Sequence, residues 1–300
     1  MTPRTYPALS YELYPPRNAE AEGPLWATIR RLEATRPDFV SVTYGAAGSN
    51  RETAIDLLRR LLTETTLKPL AHLTSVGSSR AELVGIIERL LGGGVRGILA
   101  LRGDAPDGVE PGSGDVEHAD ELVRLIRDVE AQRTAQLAAG RVSIGVAAYA
   151  TRHPDSPSVE KDVEVLLAKE AAGADFAITQ VFFHASDYSK LVSRAERAGV
   201  TIPIIPGVMP MTSSRRLTKL GSLAGIDVDD AFRARLDDAA SDEDRRSIGV
   251  AATVELARAA LDEGAPGVHL YTFNEHAAAL AVLDALELER PPEAGLAASM

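Results

Sequence analysis

The chain has 300 residues, a formal net charge of −11 and no cysteine. Because its Asp and Glu residues are spread over the whole length, it lacks the concentrated basic footprint of nucleic-acid-binding and membrane-binding proteins, and we expect neither partner. The lack of cysteine excludes disulfides, thiolate nucleophiles and cysteine-based metal sites, and we expect no bound metal. Met1–Ser10 has no basic start followed by an apolar stretch, so we expect no signal peptide and a cytoplasmic protein.

Eight short apolar runs, rich in β-branched residues, are typical of buried strands. In chain order the predicted strands are Leu9–Tyr14, Phe39–Tyr44, Leu70–Ser75, Gly97–Leu101, Val142–Tyr149, Phe176–Phe183, Ile202–Met209 and Val268–Phe273. The stretches between them have helical periodicity, and Arg51–Leu62 is apolar on one face and charged on the other. The same periodicity groups Val163, Leu166 and Leu167 on the apolar face of a later helix.

Strand followed by helix, repeated along the chain, indicates parallel βαβ units. Eight such units in about 270 residues favour an α/β fold of the (βα)8 TIM-barrel type, and a doubly wound open sheet is the alternative. The long interval from Pro210 to about Pro266 has room for extra helices before the last strand. Since no linker divides the chain, we expect one catalytic domain over residues 1–290 and a low-order tail at 291–300.

Polar and aromatic residues stand where most of the predicted strands end. A (βα)8 barrel builds its active site at these C-terminal strand ends. A polar residue at the end of a single strand can be explained because the strand end reaches water. Polar residues at the ends of many strands predict one site assembled from all of them. Its members are Thr43, His72, Thr74, Arg102, Asp104, Tyr149, His153, Gln180, Tyr271 and Asn274.

Glu12 differs from these residues because it lies inside the first predicted strand. Alternation places Ser10, Glu12 and Tyr14 on one face of that strand. If this face points into a barrel, the carboxyl group loses hydration, which raises its pKa and suits it to general acid catalysis. The alternatives are an ion pair with a nearby Lys or Arg and an outward-facing glutamate.

The segment Ser10–Arg17 reads SYELYPPR and resembles the opening motif of methylenetetrahydrofolate reductases. Seven further segments resemble motifs of that family in the family's order, and together they cover the predicted strands. They are FVSVTYGAAGS at Phe39–Ser49, AHLTSVGSSR at Ala71–Arg80, ILALRGD at Ile98–Asp104, GVAAY at Gly145–Tyr149, AITQVFF at Ala177–Phe183, IPIIPGVMP at Ile202–Pro210 and HLYTFN at His269–Asn274. The family folds as a (βα)8 barrel, in agreement with the strand count.

The resemblance implies reduction of 5,10-methylenetetrahydrofolate to 5-methyltetrahydrofolate by NADH or NADPH through bound FAD, in a ping-pong sequence. It implies that Glu12 protonates N10 of the folate, that Asp104 favours the developing cation beside the flavin, and that Gln180 hydrogen-bonds the folate. It also implies a homo-oligomer. Two alternatives stay open: a flavin-independent, NADH-dependent methylenetetrahydrofolate reductase, and a flavin- or folate-binding barrel without turnover.

The family's cofactor positions also carry over to this sequence. They match Thr43, Tyr44, Ala46, His72, Arg102, Gly103, Asp104, His118, Ala119, Tyr149, His153, Asp162 and Lys169. Asp162 and Lys169 are seven residues apart, and we expect both at an exposed helix end near the flavin's phosphates.

Four positions depart from the family pattern. Arg216 stands where the family has Gln and Leu220 where it has Phe, and both positions are expected to contact substrate. Glu275 stands where a basic residue is common, and His118 where Tyr is usual.

Overall fold

The computed structural model describes residues 6–43, 51–103, 114–133, 140–226 and 228–289. Three of the predicted site residues, Tyr44, Ala46 and Asp104, lie outside the described residues, and so does the predicted tail at 291–300.

Strands and helices alternate along the chain. The strands are β1 (Ala8–Leu13), β2 (Phe39–Val42), β3 (Pro69–Thr74), β4 (Gly97–Leu101), β5 (Ser143–Ala148), β6 (Phe176–Thr179), β7 (Ile204–Ile205), β8 (Gly207–Val208) and β9 (Gly267–Tyr271). The helices are α1 (Glu22–Glu33), α2 (Arg51–Glu64), α3 (Arg80–Gly92), α4 (Ala119–Gln132), α5 (Val159–Ala171), α6 (Ala185–Ala198), α7 (Ser214–Ala224), α8 (Asp230–Asp237), α9 (Asp242–Asp262) and α10 (His276–Leu286), with a 3-10 turn at Ala19–Ala21.

All strand pairs are parallel, and the order in the sheet is β7-β6-β5-β4-β3-β2-β1-β9-β8. The two edge strands of this order, β7 and β8, are separated along the chain only by Pro206. β7 pairs with β6 and β8 pairs with β9, so one interrupted strand closes the sheet into a barrel. The predicted (βα)8 barrel is confirmed, the open sheet is wrong, and α7, α8 and α9 are the helices predicted before the last strand.

The barrel has two apolar layers. Outward-facing strand residues such as Tyr11 and Leu13 are buried beneath the helices in one large cluster. A smaller cluster fills the inside of the barrel, where Leu70, Leu99 and Ile178 pack with the ring of Phe176 and its neighbours. In β2 and β3 the next inward residues along the strand, Ser41 and His72, are polar, so a polar layer lies between this apolar floor and the C-terminal strand ends.

Local predictions at β6 and α5 are wrong. The sixth strand ends at Thr179 and not at Phe183, so Gln180 lies just beyond the strand. On α5, Val163 and Leu166 are buried as predicted, but Leu167 is 37% exposed. A step of about 100° per residue carries Leu167 away from the narrow face that contacts the barrel.

Candidate active site

The carboxyl group of Glu12 points into the barrel and is only 6% exposed. Because burial removes water from the charged form, the pKa of Glu12 rises from 4.5 to about 7, and a hydrogen bond with the Tyr14 side chain offsets part of the rise. Burial and the neighbouring Glu12 together raise the pKa of the Tyr14 phenol, so that phenol stays protonated. Glu12 thus meets the condition set for a general acid, since it faces into the barrel, and the outward-facing alternative is wrong.

His72 on β3 is the imidazole closest to this acid. Its Nε2 lies 3.7 Å from Glu12 Oε2, which is longer than a hydrogen bond. Burial lowers the pKa of His72 to about 4, so the imidazole is neutral near pH 7 and does not hold Glu12 in its charged form. This Nε2 is buried and has no hydrogen-bond partner among the described residues, and the same holds for Oγ of Ser41, which is paired with Glu12 in the sheet register.

His269 on β9 extends this polar layer toward the barrel floor. Its Nδ1 lies 2.8 Å from Oγ of Ser10. Burial, with a further contribution from His72, lowers the pKa of His269 to about 3. Sequence reasoning missed His269 as a site residue, although it stands two residues before Tyr271 on the inward face of the last strand. The polar layer around Glu12 thus consists of uncharged groups.

A second cluster lies beside the end of β5. The rings of Tyr149 and His153 meet edge to face with centroids 4.6 Å apart. The backbone N–H of His153 donates to the carboxylate of Asp162 at 2.9 Å. The Arg102 guanidinium bonds the carboxylate of Asp155 at 2.7 Å. Partial burial, and then the charge of Arg102, lower the pKa of His153. Four predicted cofactor residues are therefore close together, whereas Asp155 was missed among the polar residues of its loop.

Lys169 completes this cluster but is not exposed, which corrects the prediction. Its side chain is 8% exposed, and Nζ donates to the backbone oxygen of Ala147 at 2.8 Å. The four-carbon stem is long enough to lie in the apolar layer while the ammonium group reaches the end of a strand. Burial lowers the pKa of Lys169 to about 8, and Asp162 partly opposes this. The ammonium group of Lys169 is thus held in place by its hydrogen bond. Asp162 is half-buried.

Tyr271 and Gln180 both lie at the barrel mouth, and Tyr271 connects two strands there. The phenol of Tyr271 donates to the backbone oxygen of Thr179 at 2.8 Å, which joins β9 to β6. Burial and the nearby Glu12, Tyr14 and Tyr149 raise the pKa of Tyr271 well above its usual value. The Gln180 side chain is exposed at this mouth, and its oxygen accepts from the backbone N–H of Val181 at 2.9 Å.

The other predicted cofactor residues lie at neighbouring loops. Thr43 is half-buried directly after β2. Gly103 follows β4 with a φ of 82°, and a Cβ there would lie 2.9 Å from Thr74. This position therefore requires glycine for its backbone conformation and for space. His118 is exposed at the start of α4 and donates its backbone N–H to Glu121 at 3.1 Å, and the adjacent Ala119 is buried.

Arg216 of α7 lies at the rim of the barrel mouth. Its guanidinium carbon is 4.3 Å from the centroid of the Phe273 ring, and Nη2 is 3.0 Å from Oε1 of Glu275. The Phe273 ring stacks in turn on the ring of Tyr14, with centroids 5.9 Å apart. Leu220, one turn further along α7, is half-buried and packs against the outer apolar cluster.

Comparison with known proteins identifies the family. The profile of the methylenetetrahydrofolate reductase family matches residues 3–287. The chain belongs to this family. It is 34% identical to the 5,10-methylenetetrahydrofolate reductase of Escherichia coli K12 over 269 residues, which are 89% of this chain and 86% of the relative. It is also 34% identical to the enzyme of the same name from Pectobacterium carotovorum, over 89% of this chain and 85% of the relative.

Among solved structures, a protein from Clostridium thermocellum described as binding two copies of 5-methyl-5,6,7,8-tetrahydrofolic acid superimposes with a TM-score of 0.67. The match covers 93% of this chain and 95% of that one at 15% identity, and it supports the barrel fold. Membership of the methylenetetrahydrofolate reductase family confirms the predicted class, an oxidoreductase of folate metabolism.

Two of the positions at which this chain departs from the family pattern, Arg216 and Glu275, are in contact with each other in the folded chain. Within the part of the chain that the structure describes, no group of three or more His, Asp or Glu side chains is arranged to hold a metal ion. The same residues include no helix with the length and apolar surface needed to cross a bilayer.

Proposed function

We propose that the protein reduces 5,10-methylenetetrahydrofolate to 5-methyltetrahydrofolate with NADH or NADPH and bound FAD, in a ping-pong sequence. The observation that carries the proposal is Glu12, a carboxyl group that is buried at the barrel mouth and has a pKa of about 7. Family membership and the names of the relatives support the choice of substrate. A homo-oligomer and a cytoplasmic location stay predictions.

The residues beside the mouth fit FAD. A buried polar atom without a hydrogen-bond partner is costly, and His72 Nε2 is such an atom, so a bound molecule with a polar ring edge would satisfy it. The cationic Arg102 and Lys169 suit a pyrophosphate, and the flat ring of Tyr149 suits a ring system. Thr43, Gly103, His118, Ala119, His153 and Asp162 complete the set that would hold the cofactor. When bound, FAD supplies the chemistry of hydride transfer between the pyridine nucleotide and the folate.

In this proposal Glu12 donates a proton from its carboxyl group to N10 of the folate as the one-carbon ring opens. A pKa of about 7 leaves a large protonated fraction at neutral pH, and a general acid is most effective when its pKa is close to the working pH. The Tyr14 phenol orients the carboxyl group through its hydrogen bond. The neutral His72 adds no positive charge that would favour early loss of the proton.

The other proposed substrate contacts come from Gln180, Arg216 and Leu220. The oxygen of the Gln180 amide accepts from its own chain, so its NH2 group is the part that would donate to the folate. Arg216 supplies a cation at the rim, and Leu220 an apolar surface on the same helix. The role of Asp104 beside the developing cation, and the flavin contacts of Tyr44 and Ala46, are proposed from the family resemblance alone.

The test replaces Glu12 by Gln, which keeps the shape of the side chain but cannot deliver the proton. In stopped-flow experiments we expect NADH to bleach the flavin of Glu12→Gln at the normal rate. Reoxidation by methylenetetrahydrofolate should slow by about 10²–10⁴, the usual contribution of a positioned general acid. Glu20→Gln, at an exposed glutamate, is the matched control. If both half-reactions slow together, Glu12 maintains geometry instead; if neither slows, the acid has been assigned to the wrong residue.

The visible spectrum of the purified protein separates the two alternatives. A protein with no flavin band that still turns over with NADH would be a flavin-independent reductase. A flavin band that NADH does not bleach would indicate a binding barrel without turnover. The proposal requires a band that NADH bleaches and methylenetetrahydrofolate restores.

A further inference from the structure

The rim of the barrel mouth carries one cation that is bound to both an aromatic ring and a carboxylate. Arg216 lies over Phe273 at 4.3 Å and pairs with Glu275 at 3.0 Å. The Arg216 side chain is 29% exposed and that of Glu275 is 61% exposed, so an incoming molecule can reach both. We call Arg216 and Glu275 the rim pair.

The loop that carries Phe273 and Glu275 is held rigidly. Phe273 and Asn274 both have a left-handed backbone, with φ of 51° and 61°, which is unfavourable for residues other than glycine. Asn274 offsets this cost by bonding the Tyr14 backbone twice, since its Oδ1 accepts from Tyr14 N and its Nδ2 donates to Tyr14 O, both at 2.9 Å. Thr28 also donates to the backbone oxygen of Asn274 at 3.0 Å. Strained residues held in this way are a common feature of functional loops.

The rim pair is connected to the proposed acid through this loop. Phe273 stacks on Tyr14, and the Tyr14 phenol hydrogen-bonds Glu12. The charge of Arg216 also acts on the Tyr14 phenol and lowers its pKa against the stronger effect of burial. A molecule that extends from Glu12 past Phe273 would therefore meet the rim pair.

The guanidinium has donors beyond the one it gives to Glu275. Arginine carries five N–H donors in a planar fork, and Nη2 makes the bond to Glu275. Glu275 neutralises the charge of this fork and occupies the position that another carboxylate would take. The preceding residue, Arg215, is exposed on the same helix.

We propose that Glu275 determines specificity at the rim: it neutralises Arg216, so that an anionic group of the substrate must displace Glu275 from the guanidinium in order to bind there. This inference rests on the proposed function, because it takes a folate as the molecule that reaches from Glu12 to the rim. Folates carry carboxylates on their glutamate tail, and a tetrahydropterin lacks them. The wild-type rim pair therefore adds little to the affinity for the glutamate tail.

The test measures binding and does not depend on turnover. The two probes are 5-methyltetrahydrofolate, which has the carboxylates, and 6-methyltetrahydropterin, which does not, and their affinities are measured by calorimetry. Glu275→Gln should raise the affinity for 5-methyltetrahydrofolate by about two- to fivefold at low salt, which is the range for a partly exposed charge pair. The gain should shrink at high salt because exposed charges are screened. Affinity for the tetrahydropterin should not change.

Four further variants give the controls. Arg216→Gln should abolish the gain, so that the double variant Arg216→Gln/Glu275→Gln binds 5-methyltetrahydrofolate no better than Arg216→Gln alone. Glu255→Gln and Arg215→Gln change the net charge by the same amounts at exposed positions and should have no effect. Glu275 precedes α10 without a side-chain capping bond, so its replacement should leave the helix intact.

The possible outcomes separate the inference from the proposed function. If wild-type protein binds 5-methyltetrahydrofolate and Glu275→Gln binds it equally well, the inference is overturned and the proposed function stands. If Glu275→Gln tightens both probes alike, the effect is not on the tail, and the inference is again overturned. If neither probe binds to the wild-type protein, the proposed function fails at the level of folate binding.

Discussion

The buried state of Glu12 predicts how the stability of the protein depends on pH. The folded-state pKa of about 7 lies above the ordinary value of 4.5, so the folded protein binds this proton more tightly than the unfolded chain does. Its contribution to stability is fully present below about pH 4.5 and is lost as the pH rises to about 7. At about 1.4 kcal/mol per pKa unit, the loss amounts to roughly 3 kcal/mol. Glu12→Gln removes the titration and should avoid this loss.

The titration of His72 has the opposite effect on stability over almost the same pH range. Its pKa falls from 6.5 to about 4 on folding, so its contribution is present above about pH 6.5 and is lost as the pH falls to about 4. The two contributions nearly cancel in the wild-type protein. The prediction therefore concerns the difference between wild type and Glu12→Gln, in which the His72 contribution cancels.

The assay is equilibrium urea unfolding of both proteins between pH 4.5 and 8, without cofactor or substrate. The unfolding free energy of Glu12→Gln, relative to wild type, should rise by about 3 kcal/mol from pH 4.5 to 7 and then level off. Infrared difference spectra provide an independent measurement, because a protonated carboxyl group has its own C=O band. That band should be present in wild type at pH 6, weaken through pH 7 and be missing from the variant. A stability difference that does not change with pH, together with no such band at pH 6, would refute the reasoning.

Two further predictions concern flavin retention and barrel closure. Lys169→Met keeps the buried stem but removes the ammonium group, so we expect this variant to bind FAD about 10- to 100-fold more weakly when the protein is diluted. The control is Lys161→Met, at an exposed lysine of the same helix, which should bind FAD normally. Gly207→Ala places a Cβ 2.2 Å from the Thr179 backbone oxygen and 2.6 Å from the Tyr271 ring, so urea unfolding should show a loss of at least about 2 kcal/mol. Gly85→Ala in α3 meets nothing within 4 Å and should be neutral or stabilising, and equal effects of the two alanines would contradict the steric explanation.

The fold was predictable because it depends mainly on local pattern. Buried parallel strands leave continuous apolar runs. Alternation groups Ser10 and Glu12 on one face of β1, but only the structure shows that this face points inward. The way in which the barrel closes was harder to predict from the sequence. A run from Ile202 to Met209 predicts one strand, whereas the structure has two short strands on either side of Pro206, each paired with a different neighbour. Proline has no N–H for a sheet hydrogen bond, which explains why pairing is interrupted there.

The depth of side chains in the site was not predictable from spacing. Asp162 and Lys169 share a helix face, but spacing does not say how closely that face approaches the barrel. The structure buries the Lys169 stem and leaves Asp162 half-buried. Asp155 and His269 were missed for a related reason, since their partners Arg102 and Ser10 are distant in sequence and only the folded chain brings them together.

The rim shows why two departures from a family pattern should be considered together. Taken singly, Arg216 replaces an amide and Glu275 replaces a base, so each suggests a lost substrate contact. In the folded chain they form one ion pair at 3.0 Å, with the cation on helix α7 and the carboxylate on the loop after β9. The position of that cation depends on a carboxylate and an aromatic ring, both on a loop that the hydrogen bonds of Asn274 hold in place. The pair is neutral as a unit, and under the proposed function the reacting ring is recognised by other groups, Glu12 and Gln180. The rim then affects only the anionic end of the substrate.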